Sequence, residues 1–442
     1  MFAISDHRLN PTSELDLTAL GLEMYDFIIR LYPVCRSITG NGVRETLQAI
    51  REYVNLEIRE VPSGTRVLDW TVPPEWNIRA AYIKDPSGRK ILDFANSNLH
   101  VVGYSIPVHQ KMSLENLKPH LFTLPDRPKA IPYRTSYYQK DWGFCLAHAQ
   151  FEQLIDGEYE VFIDSTLEPG SLCYGEAYLP GNLDEEVLIS THVCHPSLCN
   201  DNLSGIAVAT FLARSLAGRS RRYSYRFLFV PGTIGPITWL AFNQSRTNSI
   251  RYGMVLACVG DDGPFTYKRS RQDKAEIDRI VSHVLATSGK EYEIRRFIPY
   301  GYDERQYCSP GFNLPVGCLM RTPHGEFEEY HNSDDDLNFV QAEALAGSLH
   351  QCFRIVEVIE RNHSFLNTAP YGEPQLGKRG LYDGTEEQRH ALLWVLNYSD
   401  GSHSLLDIAE LSNLNFSIVA EAADRLLARG LLKEADKKSL ES

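Results

Sequence analysis

The order of apolar and polar positions divides the chain into three textures. Residues 14–31 (ELDLTALGLEMYDFIIRL) repeat apolar side chains at helical spacing. After the Thr39-Gly40-Asn41-Gly42 turn, a second amphipathic helix is predicted over 43–54. From 56 to 146 the pattern changes to short alternating runs such as LEIREV, NIRAAYIKD and VVGYSIPV, broken by Pro, Gly and Asp. That texture predicts a small all-β block. Beyond residue 150, strands rich in apolar residues (EEVLISTHV, YSYRFLFVPG, YGMVLACVG, NLPVGCLMRT) alternate with helical stretches (SGIAVATFLARSLAGR, GPITWLAFNQ, KAEIDRIVSHVLATSG), and a long helix is predicted over 340–362. Such alternation predicts an α/β fold, a mostly parallel sheet with helices on both faces.

Residues 363–384 read as a linker. The tail then shows helical stretches over 385–398, 405–411 and 416–429, with Gly430 before a short β-like end. Three short helices and a terminal strand suggest a winged helix-turn-helix. The expected organisation is an α/β domain from 1–55 and 148–365, an inserted β domain over 56–147, and a winged helix-turn-helix over 366–442.

Composition narrows the function classes. A chain of 442 residues exceeds one ordinary core, and 43% hydrophobic with 23% charged residues is globular. The formal charge of -13 disfavours nucleic acid or an acidic membrane as the main partner. No run of about 18 apolar residues predicts a membrane span. The N-terminus shows no basic start followed by an apolar block, so no signal peptide is expected. Nine scattered Cys without a CxxC pair fit reduced thiols and a cytoplasmic protein.

The candidate chemistry lies where strands end. His192 closes the EEVLISTHV strand, and Asp201 precedes the helix that starts near Ser204. In open α/β sheets, ligands gather beyond the carboxyl ends of strands. An imidazole and a carboxylate placed there suit Zn²⁺, although a capping Asp and a hydrogen-bonded His fit the same residues. His195, before Pro196, reads more simply as a loop histidine. Three further loops carry acids or His: Asp261 and Asp262 in VGDDGPF, Asp303, Glu304 and Arg305 in GYDERQYCSPG, and Glu326, Glu328, Glu329 and His331 in RTPHGEFEEYHNSDDDL. Each loop alone also fits a solvated surface. No G-x-S-x-G elbow or phosphate-binding G-x-x-x-x-G-K-[ST] loop occurs.

The stretches HVCHPSLCNDNLSG, RFLFVPGTIG, CVGD, GYDERQYCSPG and YHNSDDDLNFV, taken in order, resemble the two-zinc exopeptidases. With LYPVCRSITGNGVRETL, YRTSYYQKDWGFCL and EPQLGKRGLY, nearly the whole chain resembles a bacterial family of aminopeptidase-like proteins. Those proteins combine the exopeptidase fold with an inserted β domain and a C-terminal winged helix, and they are associated with polysaccharide biosynthesis. The resemblance implies metal ligands at His192, Asp201, Asp261 and His331. It implies one Zn²⁺, or two, and cleavage of a peptide or amide bond in a small substrate.

Two departures from the exopeptidase pattern stand out. Cys194 occupies the place of an Asp that orients the first His, and Gly232-Thr233 replaces adjacent Glu residues that serve as base and ligand. A substitute base is expected among Asp262, Glu304, Glu326 and Glu329, and substrate contacts at Tyr302, Asp303 and Arg305. The alternatives are a binding protein that kept the fold with lost or weak catalysis, or a winged-helix regulator. The 416–429 helix carries Glu421 and Asp424 against Arg425 and Arg429, so nucleic acid is an unlikely partner. Packing against the α/β domain, or a homodimer through the C-terminal domain, is expected instead.

Overall fold

The computed structural model describes residues 16–435. Strands of three or more residues and helices of eight or more are numbered below in chain order. An eight-stranded sheet organises the molecule. It contains β1 (Glu57–Pro62), β6 (Ser171–Leu179), β7 (Glu186–His192), β8 (Ser224–Val230), β9 (Ile250–Leu256), β10 (Phe265–Lys268), β11 (Tyr292–Arg295) and β12 (Val316–Met320). Its order is β1-β6-β8-β7-β9-β12-β10-β11. The four central strands, β8, β7, β9 and β12, run parallel, and β1, β6 and β10 join through antiparallel pairings. The chain leaves β7 to one side for β8 and crosses back to the other side for β9. The crevice beyond the ends of β7 and β9 is thus the switch point at which α/β sheets bind ligands.

Every residue of β7 and β8 is buried. Both faces are covered by helices, which explains why these strands read as apolar runs rather than alternating ones. The covering helices are α1 (Leu17–Leu31), α2 (Asn41–Arg51), α3 (Gly205–Ala217), α4 (Ile234–Phe242), α5 (Glu276–Ala286) and α6 (Ala342–Arg361). Glu186 is the exception inside β7. It forms a bidentate pair with Arg226 of β8 at 2.6 and 2.7 Å, so neither buried charge is left alone.

A second sheet, β3-β2-β5-β4, is built from β2 (Glu75–Lys84), β3 (Lys90–Asp93), β4 (Val108–Ser113) and β5 (Glu158–Glu168). The expected division at 56 and 147 is redrawn by this pairing. β1 lies before residue 75 yet pairs with β6 in the central sheet, and β5 lies beyond 147 yet pairs with β2 and β4. The small sheet has its own core around Ala81, Ile83, Val161 and Ile163.

The C-terminal unit holds α7 (Glu386–Tyr398), α8 (Leu405–Ser412) and α9 (Phe416–Ala428) with a sheet of β13 (Ser364–Asn367), β14 (Asp400–Ser404) and β15 (Leu432–Glu434). The stretch expected as a linker from residue 363 therefore begins with the central strand of that sheet, flanked by β14 and β15. Among the described residues, no helix is long and apolar enough to cross a membrane. The N-terminal expectation of no signal peptide falls outside the described residues.

Candidate metal centre

His192 ends β7, and the chain turns through Pro196 to a kinked turn at Cys199–Ser204 that leads into α3. Side chains of that turn are zipped to the segment after β9. Asn202 Oδ1 accepts the Cys258 amide at 3.2 Å, Ser204 Oγ the Val259 amide at 3.0 Å, and Asn200 Oδ1 the Gly260 amide at 2.8 Å. From below, the Arg36 guanidinium, 1% exposed, donates to the His195 carbonyl at 2.8 Å and the Leu31 carbonyl at 2.7 Å. Asp201 is thereby fixed between two strand ends.

Three imidazoles converge on the Asp201 carboxylate. His192 Nε2 lies 2.8 Å from Oδ1, His331 Nε2 3.0 Å from Oδ2, and His195 Nδ1 3.3 Å from Oδ2. His192 and Asp201 are 1% and 2% exposed. Burial pulls His192 down to about 4, against the pull of Asp201, so its ring is a neutral base at neutral pH. Burial would raise Asp201, but His195, His192 and His331 outweigh it and hold the carboxylate well below its usual range. His331 arrives on left-handed backbone, φ +55°, with its carbonyl accepting the Tyr133 amide at 2.8 Å. Although 3.0 Å from Asp201, His331 Nε2 lies off the hydrogen-bonding direction and has no hydrogen-bond partner.

His195 joins the cluster, contrary to the reading of it as a loop histidine. Its Nδ1 lies 3.2 Å from the Asp201 carbonyl, which can only accept, so Nδ1 carries a proton. Its Nε2 lies 3.2 Å from the Tyr302 hydroxyl. The Tyr302 ring lies 4.0 Å from the His192 ring between centroids. A Cβ at Gly232 would run into the Tyr302 ring edge and hydroxyl. Sequence spacing gave no sign that these loops meet.

The other expected site residues stand elsewhere. Asp261 is turned away from the cluster, with Oδ2 accepting Asn200 Nδ2 at 2.9 Å and Oδ1 accepting Thr322 Oγ1 at 2.7 Å and the Gly263 amide at 2.8 Å. Asp262 is exposed and lines a separate cavity of about 680 Å³ with Arg321 and Asn415. Glu304 is ion-paired with Lys268 and accepts the Tyr302 amide at 3.2 Å. Glu326 is held by Arg295, at 2.8 Å through Oε2. Glu329 is half-buried, with its backbone carbonyl accepting the Asn332 amide at 3.3 Å. Arg305 is exposed. Asp303 is fully buried and neither oxygen has a partner; burial, then the neighbouring Glu304, raises it well above its usual range.

A residue absent from the expected set fixes the turn. Asp335 accepts the amides of Asn200 and Asp201 through its two oxygens, and its carbonyl accepts the Cys199 amide at 3.0 Å. The inserted unit closes the rim, with Arg127 paired to Glu328 at 2.8 Å and to Asp334 at 2.6 Å.

Comparisons with known proteins agree with this architecture. Residues 25–362 match the family described as "Domain of unknown function (DUF4910)", and residues 363–434 match a winged helix-turn-helix family. A Clostridium acetobutylicum protein, provisionally named for polysaccharide biosynthesis with an aminopeptidase-like domain, is 52% identical over 419 residues, spanning 93% of this chain and 96% of that one. A crystal structure from the same organism, provisionally called a peptidase, superposes with a TM-score of 0.92 at 51% identity, covering 95% of this chain and 97% of that one. The zinc aminopeptidase BSAP of Bacillus subtilis is similar in fold alone, with a TM-score of 0.53 at 12% identity over 77% of this chain and 94% of that one.

Proposed function

The chain belongs to the family described as a domain of unknown function (DUF4910), here joined to a winged helix-turn-helix, and on that premise we propose that it is a zinc-dependent hydrolase of aminopeptidase type. The observation that carries this reading is the convergence of His192 Nε2 and His331 Nε2 on the buried Asp201 carboxylate at the sheet's switch point. Two imidazole nitrogens and a carboxylate suit Zn²⁺, and three protein ligands leave a position open, as in catalytic zinc sites. The donor set fits the ion: His331 Nε2 is buried and unpartnered, and His192 is already neutral. Asp261, engaged on both oxygens, is not one of the ligands.

A zinc ion bound there supplies Lewis-acid polarisation of a carbonyl and an acidified water. His195 belongs to the same cluster, with Nδ1 3.3 Å from Asp201 Oδ2, and Tyr302 places a neutral hydroxyl beside it. The substrate of this reading is a small molecule carrying a peptide or amide bond. Nine unpaired cysteines support a reducing, cytoplasmic setting.

Elemental analysis of the purified protein, alongside hydrolysis of aminoacyl amides, tests the reading. Zinc that co-purifies with the wild type is expected to disappear in His192→Ala and Asp201→Ala together with hydrolysis. A wild type that holds no transition metal and takes up none would sink it.

A further inference from the structure

The Tyr302 ring reaches the centre on a prepared arm. The buried pair Lys268–Glu304 anchors its base: Lys268 Nζ donates to the Tyr300 carbonyl at 3.0 Å, and Glu304 accepts the Tyr302 amide. Position 301 is glycine because a side chain there would collide with both members of that pair. At the far end, position 232 is glycine beneath the phenol. Two glycines and a buried ion pair are thus arranged around one aromatic ring. The ring packs against His192, and its hydroxyl sets the hydrogen bond to His195, whose other nitrogen donates to Asp201.

The charges around the centre are equally specific. Asp201 is the one carboxylate that meets the imidazoles. Asp335 is held by two amides, Asp261 by Asn200, Thr322 and Gly263, and Glu304 by Lys268. Asp303 lies buried behind the arm without a partner. One divalent ion on one carboxylate leaves a single net positive charge. A second ion would leave three in a buried site, with no second carboxylate in contact with the imidazoles to offset them.

We propose that the centre holds a single divalent ion, and that Tyr302 is its positioning residue: the ring closes the side next to Gly232 against a second ion, and the hydroxyl fixes Asp201 through His195. This rests on the metal-hydrolase reading above and adds the stoichiometry and the residue that enforces it. Removing a partner of this kind from around a metal ligand lowers affinity about 10–100-fold.

Calorimetric titration of Zn²⁺ into metal-stripped protein tests the proposal, with Co²⁺ absorption as a second signal. Wild type is expected to saturate at one equivalent. Tyr302→Phe keeps the ring, so it should stay folded with a modestly lower melting point and still take one equivalent, but about tenfold more weakly and with an altered Co²⁺ band. Saturation of the wild type at two equivalents, or a Phe variant with unchanged affinity and spectrum, overturns the proposal while leaving a metal hydrolase standing. Wild type that binds neither ion, like His192→Ala, removes the metal-hydrolase reading and this one with it.

Discussion

Asp335 accepts the backbone N–H of Asp201 at 2.9 Å, and its other oxygen accepts that of Asn200 at 2.6 Å. A carboxylate 134 residues away in sequence thus fixes the backbone of the residue on which three imidazoles converge. Asp335→Ala would leave two buried amides unpaired, at about 1–3 kcal/mol each. The variant should show a lower denaturant midpoint and weaker Zn²⁺ binding. Wild-type values for both would show that the turn holds its shape without Asp335.

Asp303 gives a pH-dependent prediction. Burial raises it, so the native state keeps a proton that the unfolded chain releases near pH 4. That contribution to stability is fully present below the unfolded value and falls as pH rises through the window up to the native value. Asp303→Asn removes the slope. Guanidinium unfolding at pH 5 and pH 8 should show the variant gaining on wild type at the higher pH. A constant difference would mean that Asp303 is ionised in the folded protein.

The contact between Gly232 and Tyr302 is testable without any metal. Gly232→Ala places a methyl group against the phenol and should cost about 1–3 kcal/mol, the usual range for overpacking. In a Tyr302→Ala background the same substitution should cost much less, and a double-mutant cycle read by thermal unfolding measures the coupling. Additive effects would mean that the ring moves aside freely.

The winged helix makes a negative prediction for nucleic acid. The second helix of a helix-turn-helix is the one that enters the major groove. Here α9 is fastened to α6, with Ser417 donating to Glu357 at 2.7 Å and Asp424 paired to Arg361 at 2.6 Å. On α8, Asp407 pairs with Arg279 of α5 at 2.5 Å. Gel-shift titration at physiological salt should show no sequence preference. Arg361→Ala should destabilise the chain by about 3 kcal/mol, because it leaves Glu357, with a side chain 3% exposed, without its cation. Specific DNA binding by the wild type would require α9 to undock.

The sequence carried the strand-end logic well and the loop conformations poorly. Apolar runs and their alternation with helices were enough to expect the parallel core and to put His192 and Asp201 at its carboxyl edge. Asp261 does follow a strand end as expected, but Thr322 at the neighbouring strand end and Asn200 claim its oxygens. The ion pair of Glu326 could not be read from its own loop, because its cation, Arg295, lies on a strand 31 residues away. His195 was discounted because, before Pro196, it reads as an extended loop histidine; Ser197, at φ +41°, marks the turn that brings Asp201 back to it. The strand pairing across the expected β domain boundaries was not legible, because β1 and β5 each pair with the sheet that their position in the chain does not suggest.

Only Asn362 and His363 separate α6 from β13. β13 is the middle strand of the C-terminal sheet, so that module hangs from a rigid helix by two residues and from no flexible tether. Motion between the modules must therefore turn about that short connection and break the docking of α8 and α9 against α5 and α6. The α/β half cannot swing as a free body, and a load on the C-terminal unit would pass along α6 into the helix layer beneath the candidate metal centre.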